Sequence, residues 1–171
     1  MPTHIEKAAS KVMGTAKQAK GTLEGLKGVF KTLMKEHGEA TALLWRVKGS
    51  DDPETKARLW PTIRRELLAH EQGELAIVYP VYAEYPETRK LAVRHNQEAE
   101  RLASMIGRID KLNPRDEAFT ELFEQLAMMV NEHVEEEEGE IFPAGQKTFG
   151  EQAEELDKAY LSKKQAIMGK D

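Results

Sequence analysis

At 171 residues, with a formal net charge of −5 and no cysteine, the chain is long enough to bury a core of its own. It excludes disulfides, thiolate zinc sites and iron–sulfur clusters, so any metal must be held by imidazole and oxygen ligands. The mild acidity offers no basic field for a phosphate backbone, and no run approaches the roughly 20 apolar residues that span a bilayer, so neither nucleic acid nor a membrane is an expected partner.

Hydrophobic residues make up 40% and charged residues 32% of the chain, the balance of a helical protein with solvated outer faces. Met1 to Lys20 lacks the apolar run of a signal peptide, and a cytoplasmic location is the expectation that follows. In chain order, Ile5, Ala8, Ala9, Val12, Ala16 and Ala19 recur at helical spacing among lysines. That pattern predicts a weakly amphipathic N-terminal arm over residues 1–21, interrupted by Gly14 and Gly21. From Thr22 to about Lys48, Leu26, Phe30, Leu33, His37, Ala40, Leu44 and Val47 trace one buried stripe. Asp52 before Pro53 reads as an N-cap with proline in the first turn, and the stripe continues through Ile63, Leu67, His70, Glu74, Val78 and Val81, with a kink or restart expected at Pro61. A third helix is predicted from Pro86 to about Lys111, with Leu91, His95, Glu98 or Ala99, Leu102, Ile106 and Ile109 inward. A fourth runs from Pro114 to Pro143 through Phe119, Leu122, Leu126, Val130, His133, Glu137 and Ile141. Gly145 to Gly150 should then separate it from a tail helix over 150–168 containing Leu156 and Tyr160.

No strand pattern competes. The fold class expected is all-α: an up-down-up-down four-helix bundle over residues 22–145, flanked by the arm and the short C-terminal helix, in one domain over 1–171.

Each of the four stripes carries a histidine near its middle, where an apolar residue would ordinarily stand: His37, His70, His95 and His133. Two of them are followed one turn later by a glutamate on the same face, Glu74 and Glu137. Glutamate is 24 of 171 residues, so one such pair means little. The informative signal is a repeat: His70-x-x-x-Glu74-x-x-x-x-Tyr79-Pro80 returns as His133-x-x-x-Glu137-x-x-x-x-Phe142-Pro143, each copy preceded by a helix with a lone histidine. The domain therefore reads as two similar hairpins, each supplying two histidines and one glutamate. Six buried polar groups without partners would cost roughly 1–3 kcal/mol apiece, and a pair of bound cations removes that cost. Imidazole with carboxylate suits iron, manganese or zinc. A metal-free helical interaction module, its histidines forming a buried polar network, is the bland alternative. Tyr79, Phe142, Trp45, Trp60 and the methionines read as packing, and the run Glu135 to Glu138 with Glu140 as solvated surface apart from Glu137.

These residues resemble the hemerythrin-like family of metal-binding domains, over about Leu26 to Pro143. The resemblance implies that His37, His70, His95 and His133 are terminal ligands of two iron ions, ahead of manganese or zinc, bridged by Glu74 and Glu137 and an oxo or hydroxo group. Oxygen-carrying members place a fifth histidine where Ala99 stands, and their second carboxylate five residues after the histidine, at Glu138. Helical phase and the first repeat favour Glu137. The resemblance thus implies a di-iron protein that binds or reduces peroxide, dioxygen or nitric oxide in oxidative stress or iron homeostasis, as an oxidoreductase or as a binding protein. An iron-donating or sensing partner of a client protein, or oxygen storage, are the alternatives.

Overall fold

The computed structural model describes residues 1–169, which form helices and turns without a strand. Helix α1 spans His4–Leu23, α2 Gly28–Lys48 and α3 Pro53–Gly73. A π-helical segment, Glu74–Val78, leads into α4, Tyr79–Glu84, and α5 follows at Arg89–Ile109. Helix α6, Glu117–Glu136, passes through a second π-helical segment, Glu137–Ile141, into α7, Phe142–Phe149; a 3-10 turn, Gly150–Gln152, then connects to α8, Ala153–Met168. Helices α2, α3, α5 and α6 are the expected bundle, with neighbours α2 and α3, α5 and α6, α2 and α6, and α3 and α5. No helix among the described residues is long and apolar enough to cross a membrane.

Local chemistry sets most of the helix starts. Thr3 and Glu6 form a reciprocal capping box on α1, and Asp52 accepts from the backbone N–H groups of Glu54 (3.2 Å) and Thr55 (3.1 Å) to cap α3. Pro61 neither ends nor restarts α3, which is continuous through it.

The two π-helical segments fall at the same place in each repeat. Pro80 and Pro143 lack an N–H, and in a regular α-helix their rings would press on the carbonyl four residues back. The chain widens instead by one residue: Tyr79 N–H donates to Glu74 C=O and Phe142 N–H to Glu137 C=O, five residues back in both cases. In an α-helix, position i+5 lies about 140° round from i. The wider turn brings Tyr79 and Phe142 back over the face that carries the histidines.

Two apolar cores lie at opposite ends of the bundle. One gathers Leu44, Val47, Leu59, Trp60, Ile63, Ile106, Phe119 and Phe123, among others. The other gathers Phe30, Leu33, Met34, Val78, Tyr82, Ile141, Phe142 and Tyr160. The polar residues His37, His70 and His95 lie between them in sequence on their helices and His133 lies at the edge of the first core, beside Val134; all four are buried.

Several expectations are corrected. Helix α1 runs unbroken through Gly14 and Gly21, and a turn with Gly25 at φ 81° separates it from α2, which starts at Gly28 rather than Thr22. The apolar stripe of α1 faces outward: Ile5 is 82% exposed, Val12 68% and Leu23 90%, while Glu6, Ser10, Gly14 and Gly21 are buried. Backbone approach explains this, since a Cβ on Gly38 would lie 2.5 Å from the Met13 carbonyl oxygen. Only small residues fit that interface, which Ser10 completes by donating to the Glu39 carbonyl (2.9 Å). The break expected between Gly145 and Gly150 comes later, at Gly150–Gln152. Gly145 lies inside α7, where it serves close packing and not a chain break: a side chain there would collide with the Tyr82 hydroxyl. Helices α5 and α6 begin at Arg89 and Glu117, three residues beyond Pro86 and Pro114. Trp45 is 63% exposed, not packed.

Candidate metal centre

The bundle brings all six sequence-predicted residues into one cluster. Each lone histidine sits beside the histidine of its own hairpin, His37 with His70 and His95 with His133, both pairs with ring centroids 5.1 Å apart. Glu74 and Glu137 are fully buried between the pairs. Glu74 Oε2 lies 3.4 Å from His70 Nε2 and 3.5 Å from His95 Nε2. Glu137 lies 3.0 Å from His37 Nε2, 3.3 Å from His95 Nε2 and 3.4 Å from His133 Nε2. Both carboxylates therefore touch imidazoles of both hairpins.

Sequence reasoning missed a seventh member, Glu71. Its Oε1 is 3.1 Å from His133 Nε2 and its Oε2 3.6 Å from His95 Nε2. The donor atoms fall into two compact sets, Glu71, Glu74, His95 and His133 in one and His37, His70 and Glu137 in the other, and each set could hold a metal ion. The i, i+3 spacing of Glu71 and Glu74 puts them on one side of the helix, but glutamates recur at that spacing throughout the chain, so it does not single Glu71 out.

Carboxylates outside the cluster fix three of the four rings. His37 Nδ1 pairs with Glu138 (3.0 Å), His70 Nδ1 with Glu36 (2.8 Å) and His133 Nδ1 with Glu98 (3.1 Å). An imidazole that donates outward from Nδ1 presents the lone pair of Nε2 inward, where a metal would take it. The choice between Glu137 and Glu138 is thereby given a geometric reading: Glu137 is inside, while Glu138 is behind His37 and held by Lys17 (2.6 Å) rather than solvated. Glu98 stands behind His133, and the buried Ala99 adds no donor.

His95 has no such carboxylate and is held by stacking, with the Tyr79 ring at 3.4 Å and 12° from parallel. In the opposite hairpin Phe142 stacks on His37 at 5.5 Å and 16°. The aromatic of each repeat thus covers the lone histidine of the other. Tyr79 does more than pack, since its hydroxyl donates to Glu137 Oε1 at 2.5 Å. Helix α8 also reaches the cluster: the Tyr160 hydroxyl donates to Glu36 (2.6 Å), which Lys164 holds at 2.8 Å.

The fit to a metal pair rests on orphaned atoms. The Nε2 atoms of all four histidines, both Glu74 oxygens, and one oxygen each of Glu71 and Glu137 are buried without a hydrogen-bond partner among the described residues. Electrostatics show the same demand for positive charge. Burial, which alone would lower them, is outweighed by the facing carboxylates, so His37 is pushed up to about 9 and His95 to about 10, and His133 well above the usual imidazole value. Burial would raise Glu137, but His133, His37 and His95 hold it well below the usual carboxylate range. Glu74 moves the other way, raised by burial and by the charge of Glu137. Hard oxygen and borderline nitrogen donors in this ratio suit iron, manganese or zinc.

Residues 23–144 match the family model of the hemerythrin HHE cation binding domain. An uncharacterized hemerythrin-like protein of Schizosaccharomyces pombe is 23% identical over 122 residues, covering 70% of this chain and 60% of that protein. A DNA nickase of Nostoc sp. is 24% identical over 109 residues, covering 64% of this chain and 31% of that protein. The chain thus spans less than two thirds of the length of either relative. No solved structure matches it.

Proposed function

Because the chain belongs to the hemerythrin HHE cation-binding domain family, we propose that its metal-binding cluster holds two iron ions and uses them to bind or reduce peroxide, dioxygen or nitric oxide. The observation that carries this reading is the set of buried, inward-facing imidazole and carboxylate atoms without hydrogen-bond partners. His37, His70 and Glu137 would hold one ion and Glu71, Glu74, His95 and His133 the other. When bound, iron supplies Lewis acidity and one-electron exchange.

The protein's own part is positioning and exclusion. Glu138, Glu36 and Glu98 hold three rings in the orientation a metal needs. The Tyr79 hydroxyl keeps a proton at Glu137 Oε1, and the apolar cores close the two ends of the bundle on either side of the cluster. Glu71 makes the two sets unequal. The His37–His70 set has one carboxylate fewer, so it has more room for an incoming ligand. With Ala99 offering no fifth imidazole, the reading favours reactive oxygen or nitrogen species over oxygen storage.

Anaerobic reconstitution with ferrous iron followed by oxidation tests this. Two irons per chain, with charge-transfer bands that disappear in His133→Ala, are expected; fewer than one iron per chain would overturn it. Peroxide consumption and nitric-oxide uptake by the loaded protein then separate the ligands.

A further inference from the structure

A cavity of about 350 Å³ extends from beneath the start of α1 to the His/Glu cluster. Met1, Lys7 and Lys11 line its outer end, and His37, His70, Glu71 and His133 its inner end. Between them the wall is apolar, formed by Ala40, Leu43, Leu67, Leu102, Val130 and Val134. A diatomic or a peroxide needs about the space of one water molecule, ~30 Å³. The cavity is more than ten times that and falls in the range of pockets for small organic ligands, about 300–1,000 Å³.

Charge around the outer part is not balanced. Glu36 and Glu66 are both engaged by Lys164 (2.8 and 3.3 Å), and Glu39 by Lys35 (3.6 Å). Arg65, by contrast, is a half-buried residue of the cavity wall with no ion-pair partner among the described residues, and its Nε is buried without a hydrogen-bond partner among them. Lys7 and Lys11 add positive charge nearby. A guanidinium without an ion pair among the described residues, beside an apolar chamber, fits a molecule with an acidic head and an apolar body.

We propose that this cavity binds a small amphipathic organic anion, a medium-chain carboxylate in class, with its acid group at Arg65 and its chain directed past Leu43, Leu67 and Val130 toward the cluster. The inference rests on the metal-centre reading for any reaction of the bound molecule, but its geometry does not require the metal.

Calorimetric titration of the full chain with sodium octanoate, in metal-free and iron-loaded forms, tests it. Saturable one-to-one binding is expected in both forms, weakened about tenfold in Arg65→Gln and lost in Ala40→Trp. Octan-1-ol should bind more weakly than octanoate and be indifferent to Arg65→Gln. If Ala40→Trp does not fold by circular dichroism, Val134→Phe supplies the second block. No binding at millimolar octanoate, or binding unchanged in both Arg65→Gln and the blocking variant, overturns the proposal. Binding seen only with iron and unaffected by Arg65→Gln overturns it too, because the acid group would then sit on the metal. Should iron loading fail while octanoate still binds with Arg65 dependence, the cavity stands and the di-iron reading falls.

Discussion

Metal uptake should displace about three protons per chain, and that number follows from the cluster itself. Without metal, the facing carboxylates push His37 up to about 9 and His95 to about 10 from 6.5, and hold His133 well above 6.5. At pH 7 these three rings carry protons that offset the charge of the carboxylates they face; two divalent ions would take over that role. The product of the two binding constants should therefore rise by about 10³ per pH unit around neutrality, or about 4 kcal/mol per unit. The metal-free fold must show the opposite trend. A base whose folded value is raised contributes stability that is complete below its unfolded value of 6.5 and is lost as pH rises through 9 to 10. Each imidazole then forfeits a few kcal/mol. Titration calorimetry with ferrous iron, run anaerobically at pH 7 in buffers of different ionisation enthalpy, counts the protons. Fewer than one proton released, or an affinity flat from pH 6.5 to pH 8.5, would refute the electrostatic account of the cluster.

Tyr79→Phe removes the hydroxyl from Glu137 and retains the ring on His95. It should cost about 1–3 kcal/mol while leaving two irons bound, and a loss of iron in metal analysis would assign the hydroxyl a larger role. Gly38→Ala forces α1 off α2 and should cost about 1–3 kcal/mol, lowering Tm by roughly 2–12 °C. Gly107→Ala, where an added Cβ meets nothing within 4 Å, should instead raise Tm slightly in the same scan. Glu6 is held down to about 2, chiefly by the Arg58 hydrogen bonds. Its contribution to seating α1 is present above the unfolded value of 4.5 and lost as pH falls toward 2. Acid titration followed by hydrogen exchange in α1 should show that step in the wild type and not in Glu6→Gln.

The bundle and six of its cluster residues were legible because burying a histidine in an apolar stripe breaks the helical pattern, and the pattern broke four times at matching places. Glu71 was not legible. It follows His70 directly, about 100° round the helix, and in a chain rich in glutamate nothing separates it from solvated neighbours. The same abundance hid Glu138 within an acidic run, where only its contact with His37 and Lys17 shows it is buried. The paired aromatic-Pro motifs were visible as a repeat, but their effect was not. Widening of the helix to relieve the proline, which swings Tyr79 and Phe142 over the histidines, depends on backbone hydrogen bonding that side-chain periodicity does not report. Helix α1 misled for a different reason: its apolar residues suggested an inward face, whereas the contact with α2 is set by how closely two backbones can approach.

Separation of the apolar interior into two cores by a polar layer bears on cooperativity. With ions in place, one set of bonds ties all four bundle helices together at mid-height, so the two ends should open as a unit. Once the ions are removed, the layer becomes a seam of mutually dependent charges, and each core can unfold without the other. Hydrogen exchange should then resolve two opening free energies in the metal-free protein and one in the loaded protein, which would make the centre a determinant of how many folding units the chain contains.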